Sequence, residues 1–137
     1  MRVFLDTNVL LDVLGRRHPH CLASAEVWSR VEEGALQGYV SAISFNNAYY
    51  VLRRIENRKA ARDGLKLLRN LFRIVPLTER IVHRALDSEM SDFEDAIQFF
   101  SAHHARADFI VTRNVRDFPA EPIAVVTPEE FLRTETA

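Results

Sequence analysis

Arg2-Val3-Phe4-Leu5-Asp6-Thr7-Asn8 is the stretch on which the reading of this chain turns. Three apolar residues run into an aspartate, and Val9-Leu10-Leu11-Asp12-Val13-Leu14 follows with an apolar helical pattern. A short all-apolar run closed by a polar turn predicts a buried strand. Asp6 then stands at the carboxyl end of that strand, where open α/β sheets bind their ligands. A second reading stays open here: Asp6 or Thr7 simply caps the following helix, since both accept hydrogen bonds from its free amides.

Along the rest of the chain, strand-like and helix-like patterns alternate. Gly15 to His20 predicts a loop, because Gly15 can end a helix and Pro19 pushes its predecessor out of helical geometry. A helix is predicted over 21–33, a strand over 38–42, and a helix over 43–55 with Ser44 as its cap. After the break at Asn57 come a helix over 59–72, a short strand over 73–77 limited by Pro76, and a helix over 78–88. Ser91-Asp92-Phe93-Glu94 fits a capping box and predicts a helix from there through Ala105. Asp108 to Thr112 predicts a buried strand, 113–119 a turn-rich loop, and 123–126 another strand. Thr127-Pro128-Glu129-Glu130 is a second capping box, with proline at the first helical position. Strands separated by helices throughout predict a three-layer α/β fold, a mostly parallel central sheet with helices on both faces. Such a sheet brings the ends of Leu5-Asp6 and Val111-Thr112 to one edge.

The chain's 137 residues predict one domain over 1–137. A chain this long buries about 68% of its unfolded surface, enough for a core. Cys21 is the single cysteine, which excludes an intrachain disulfide and points to a reducing compartment. No apolar run reaches the ~20 residues of a membrane span. Asp6 and Asp12 interrupt the N-terminal apolar run, which argues against a secretory signal. The expectation is a cytoplasmic protein. Net charge is −1, but between Arg53 and Arg84 ten basic residues face three acids, and 16 of the 18 basic residues are arginine. Most of these arginines read as solvated helix faces, though the polarity permits a phosphate-binding rim around an acidic centre.

Asp6, Asp95 and Asp117 are the candidates for that centre. Each comes from the end of a different element. Oxygen-only ligands drawn from separate elements suit magnesium or manganese. The chain has no CxxC, HExxH or GxxxxGK[ST] pattern, so zinc and P-loop chemistry lack support. Each acid also has a plainer reading. Asp92, Glu94 and Asp95 suit the start of a helix, Asp117 suits a turn, and Asp12 suits a solvent-facing helix position. His103 and His104 sit late on a helix, where they satisfy terminal carbonyls.

Three segments carry a resemblance: Phe4-Leu5-Asp6-Thr7-Asn8-Val9-Leu10, Asp92-Phe93-Glu94-Asp95-Ala96-Ile97, and Ile110-Val111-Thr112-Arg113-Asn114-Val115-Arg116-Asp117-Phe118. In this order and separation the chain resembles the PIN-domain proteins, in particular the small free-standing prokaryotic kind that includes VapC-type toxins. The resemblance implies a PIN-like fold and a ribonuclease dependent on Mg²⁺ or Mn²⁺. It also implies metal ligation by Asp6, Asp95 and Asp117, with Thr7, Asn8, Thr112 and Asn114 as the small polar residues that support them. It suggests an RNA substrate, an antitoxin partner and a homodimer, to which Tyr49-Tyr50-Leu52 could contribute. Arg16, Arg17, Arg53, Arg54 and Arg113 are candidates to grip the RNA backbone.

One position departs from the family. Asn47 aligns with the acid usually found in the third helix. It brings an amide oxygen without charge, and Asp92 is the candidate substitute. Two rival readings follow. A non-catalytic RNA- or protein-binding module would keep the fold without the full metal set, which Asn47 favours. A phosphatase-like hydrolase would use Asp6 as a nucleophile, but it wants a second aspartate two residues on, where Asn8 stands.

Overall fold

The structure is a computed structural model and describes residues 1–136. The strands are β1 (Arg2–Leu5), β2 (Gln37–Ser41), β3 (Arg73–Val75), β4 (Phe109–Val111) and β5 (Ala124–Val126). They form one sheet in the order β3-β2-β1-β4-β5, and every pairing is parallel. The helices are α1 (Thr7–Leu14), α2 (Cys21–Glu32), α3 (Ala42–Ile55), α4 (Arg58–Leu71), α5 (Glu79–Asp87), α6 (Phe93–His104) and α7 (Pro128–Thr136). The three-layer expectation holds. β3 stops one residue before Pro76, whose missing amide cannot extend the ladder.

β1 shows why the sheet needs helices on both sides. Val3 and Leu5 belong to one core cluster with Val9, Leu10, Val27, Trp28 and Leu68. Phe4 points the other way, into a cluster with Ile81, Ala85, Ile97 and Phe99. Strand side chains alternate between faces, so a strand apolar at each of these positions must be covered twice. Gly38 in β2 admits the closest approach. A Cβ there would lie 2.5 Å from a ring carbon of Phe72 and 2.9 Å from Val31, so any larger residue would force α2 and α4 off the sheet.

The strand order reverses direction between β1 and β4. Neighbours β1, β2 and β3 run one way in sequence and β4, β5 the other. That is the switch point at which open parallel sheets form a crevice. Leu5 is in register with Val111, and the Asp6 amide donates to the Val111 carbonyl at 3.0 Å. Asp6 and Thr112 therefore leave adjacent strands side by side.

Three local expectations are corrected. α3 is capped by Ser41, which accepts from the Ile43 amide, and not by Ser44. α6 is capped by Asp92, which accepts from the Asp95 amide at 2.9 Å, and not by Ser91. Leu52 is only 3% exposed and packs in the core with Leu11, Ala48 and Ala61, so it cannot serve a dimer contact. The capping box at Thr127 forms as read, with both reciprocal bonds to Glu130 present. Among the described residues, no helix is long and apolar enough to cross a membrane.

Candidate active site

Asp6 sits at the N-cap position of α1, yet its carboxylate makes no capping bond. It accepts a 2.7 Å hydrogen bond from Thr112 Oγ1 instead. This decides between the two readings of Asp6: its side chain faces the switch point and not the helix end. The residue is 4% exposed. Burial raises its pKa, and hydrogen bonds from Thr112, Gln98 and the Thr7 amide only partly oppose that.

The crevice beyond β1 and β4 is a cleft of about 370 Å³. Its lining includes Asp6, Asp92, Glu94, Asp95 and Asp117, five acids from the ends of β1, α6 and the turn after β4. Asn8, Asn47 and Asn114 complete its polar wall, and no lysine or arginine among the described residues lines it. Asp95 shows the consequence. Its pKa is raised to about 7, first by partial burial and then by repulsion from Asp6, Asp92, Asp117 and Glu94.

Each sequence candidate has a definite place. Thr112 is fully buried and supports the cleft from beneath, donating to Asp6 and accepting from the Asn114 amide at 3.0 Å. Thr7 Oγ1 lies 2.8 Å from Ser44 Oγ and donates to Glu94 Oε2 at 3.3 Å. Asn8 lines the cleft and has a buried Oδ1 with no hydrogen-bond partner. Asn47 donates its amide to Glu94 Oε2 at 2.7 Å.

Sequence reasoning missed two residues here. Glu94 suits a helix start by sequence, but Asn47 and Thr7 hold its carboxylate at the cleft. Gln98, one turn further along α6, is buried and accepts from the Thr7 amide at 3.1 Å. The spacing Glu94, Asp95, Gln98 is the available signal, since residues three and four apart share a helix face. One further reading is corrected: Asp12 is fully buried, not solvent-facing, and Arg113 donates to it through Nε at 2.7 Å. None of Arg16, Arg17, Arg53, Arg54 and Arg113 lines the cleft itself. Arg113 instead lines an adjoining hollow with Asn114, Arg116 and Asp117.

The donor set fits a hard divalent cation in chemistry and in charge: every polar group in the lining is an oxygen or amide, and among the described residues the lining holds five acids and no basic side chain. The carboxylates rim the cleft without converging, and among the described residues no three acidic, histidine or cysteine side chains are grouped as ligands to one ion.

The family profile for the PIN domain matches residues 2–116. The chain belongs to the PIN-domain family. The resemblance read from its three motifs is therefore borne out. A relative, ribonuclease VapC1 of Aquifex aeolicus (strain VF5), is 28% identical over 135 residues, covering 95% of this chain and 92% of that one. A chain of a toxin–antitoxin complex from Klebsiella pneumoniae is 26% identical with a TM-score of 0.69, over 92% of this chain and 97% of that one. A chain of FitAcB from Neisseria gonorrhoeae has the same TM-score of 0.69 at 20% identity, over 93% and 98% of the two chains, and shares the PIN fold.

Proposed function

We propose that this PIN-domain protein is a metal-dependent ribonuclease and the toxin of a toxin–antitoxin pair. The observation that carries the reading is the cleft at the switch point, lined by five acids and, among the described residues, by no basic side chain. Such a site favours a bound divalent cation over a bare, mutually repelling cluster. The 28% identity to ribonuclease VapC1 supports RNA as the substrate class. The likeness to a chain of a toxin–antitoxin complex supports the partner.

Asp6, Asp95 and Asp117 would hold Mg²⁺ or Mn²⁺. When bound, the ion supplies a water of lowered pKa and offsets charge on the phosphoryl oxygens. The chain's own residues orient the site. Thr112 and Gln98 fix the Asp6 carboxylate, and Asn114 extends the cleft towards the hollow that holds Arg113 and Arg116. Those arginines would take a flanking phosphate of the RNA backbone. The reaction is hydrolysis: water attacks phosphorus in line and the bond to the 3′ oxygen breaks.

Glu94, and not Asp92, would make good the charge absent at Asn47. Asp92 is engaged as a helix cap, whereas Glu94 is held at the cleft by the Asn47 amide itself. Tyr50 and Ile55, 53% and 54% exposed on α3, would supply part of a homodimer contact in place of Leu52. The free thiol of Cys21 is consistent with action in the cytoplasm.

The binding-module reading has one observation in its favour, the uncharged Asn47. Calorimetric titration of the purified chain with Mn²⁺, beside RNA binding measured in EDTA across a salt series, separates the two. The nuclease reading predicts saturable Mn²⁺ binding that Asp6→Asn abolishes. Salt-sensitive RNA binding with no Mn²⁺ binding would favour the module.

A further inference from the structure

The turn that follows β4 carries Asn114 and Asp117 into the cleft. Its own hydrogen bonds are local: Asn114 amide to Thr112 Oγ1 at 3.0 Å, and Asp117 amide to the Asn114 carbonyl at 3.0 Å. Two anchors hold its ends: Thr112 Oγ1 passes the Asn114 bond on to Asp6, the N-cap of α1, and Phe118 is buried in the core on the α6 side. Arg113 adds a tie from the middle of the turn to the body of α1. It lies between Thr112 and Asn114 in the turn, and its Nε donates to Asp12 Oδ2 on α1 at 2.7 Å.

Asp12 is fully buried and does not line the cleft. Among the described residues its second oxygen has no hydrogen-bond partner, and the Arg17 guanidinium lies 4.0 Å away. A buried carboxylate is costly unless it is paired, so the geometry of its one close pair is strongly held. Arg113 is partly buried at the edge of the adjoining hollow.

We infer that Asp12 is a positioning residue of this site: through Arg113 it clamps the turn bearing Asn114 and Asp117 to the helix that begins at Asp6. The inference rests on the metal-site reading for its consequence in binding, though not for its geometry. Groups behind metal ligands typically change affinity about tenfold to hundredfold when removed.

The test compares Asp12→Asn and Arg113→Gln with Val31→Ala, a core variant on α2 beside Gly38 at the amino end of β2, each assayed where it is folded. Val31→Ala reports what a loss of stability alone does. Two quantities are read: Mn²⁺ affinity by calorimetry, and backbone hydrogen exchange of residues 114–118 in the metal-free protein. Both Asp12→Asn and Arg113→Gln are expected to weaken Mn²⁺ binding about tenfold or more and to speed exchange in 114–118. Val31→Ala is expected to leave both at wild-type levels. Arg113→Lys, which keeps the charge and loses the Nε geometry, is expected to fall between. Wild-type affinity and exchange in Asp12→Asn and Arg113→Gln would overturn the inference, as would an equal loss in Val31→Ala. A wild-type chain that binds no Mn²⁺ sinks the metal reading alone, and unchanged exchange of 114–118 in the variants still overturns this one.

Discussion

Thr112 Oγ1 donates a 2.7 Å hydrogen bond to Asp6 Oδ2, joining the two residues that leave adjacent strands at the switch point. Neither is a helix cap by side chain, and both are buried. Replacing Thr112 by valine keeps the shape and removes the donor. Leaving one buried polar group unsatisfied costs about 1–3 kcal/mol. Thr112→Val is therefore expected to lower unfolding stability by that order, measured by denaturant melts. It also raises the pKa of Asp6 further, so Mn²⁺ affinity at neutral pH is expected to fall.

Asp95 is predicted to separate stability from activity. Its carboxyl is pushed up to about 7 by burial and by four neighbouring acids. Asp95→Asn removes that repulsion. The metal-free variant is expected to melt at a higher temperature than wild type at pH 8. Its metal-dependent cleavage is expected to drop by about 10²-fold or more, the scale of losing one preorganised electrostatic group.

The same group sets a pH dependence. Asp95 keeps its proton up to about pH 7 in the folded chain, but loses it in the ordinary carboxylate range near 3.8 when unfolded. Between those values the folded state binds more protons, so the stability of the metal-free protein falls as pH rises. Thermal melts at pH 5 and pH 8 should show this, and saturating Mn²⁺ should flatten the difference. Metal binding should tighten as pH rises through about 7, with proton release seen by titration in two buffers.

Asn47 offers the clearest test of the family departure. Asn47→Asp places a carboxylate where an amide now donates to Glu94 at 2.7 Å. Two acids that close repel in the metal-free protein and attract a cation together. The variant is expected to lose thermal stability in EDTA and to gain Mn²⁺ affinity, on the order of tenfold, by the added ligand charge. A calorimetric titration beside an EDTA melt reads both.

The acids at element ends were legible because an apolar run closing on Asp6, or a capped helix starting near Asp95, fixes position along the chain. Rotation about a helix was harder to read. Ser91 and Asp92 are both good N-caps, so the sequence alone does not choose between them. Which face of α6 turns to the cleft is a tertiary matter, since Glu94 is held by Thr7 and Asn47 from other elements. The burial of Asp12 is hidden from the sequence for a similar reason. A lone aspartate on a helix is normally solvated. Its partner Arg113 stands 101 residues away, a separation at which no local pattern reports.

Metal-dependent RNA hydrolysis at the acidic cleft is tested by cleavage of a labelled structured RNA with the purified chain in Mn²⁺, in Mg²⁺ and in EDTA, beside Asp6→Asn. Cleavage is expected in either metal, with none in EDTA and none by Asp6→Asn in any condition. Cleavage that persists in EDTA or in Asp6→Asn would rule this function out, as would folded, partner-free protein that cleaves RNA in neither metal.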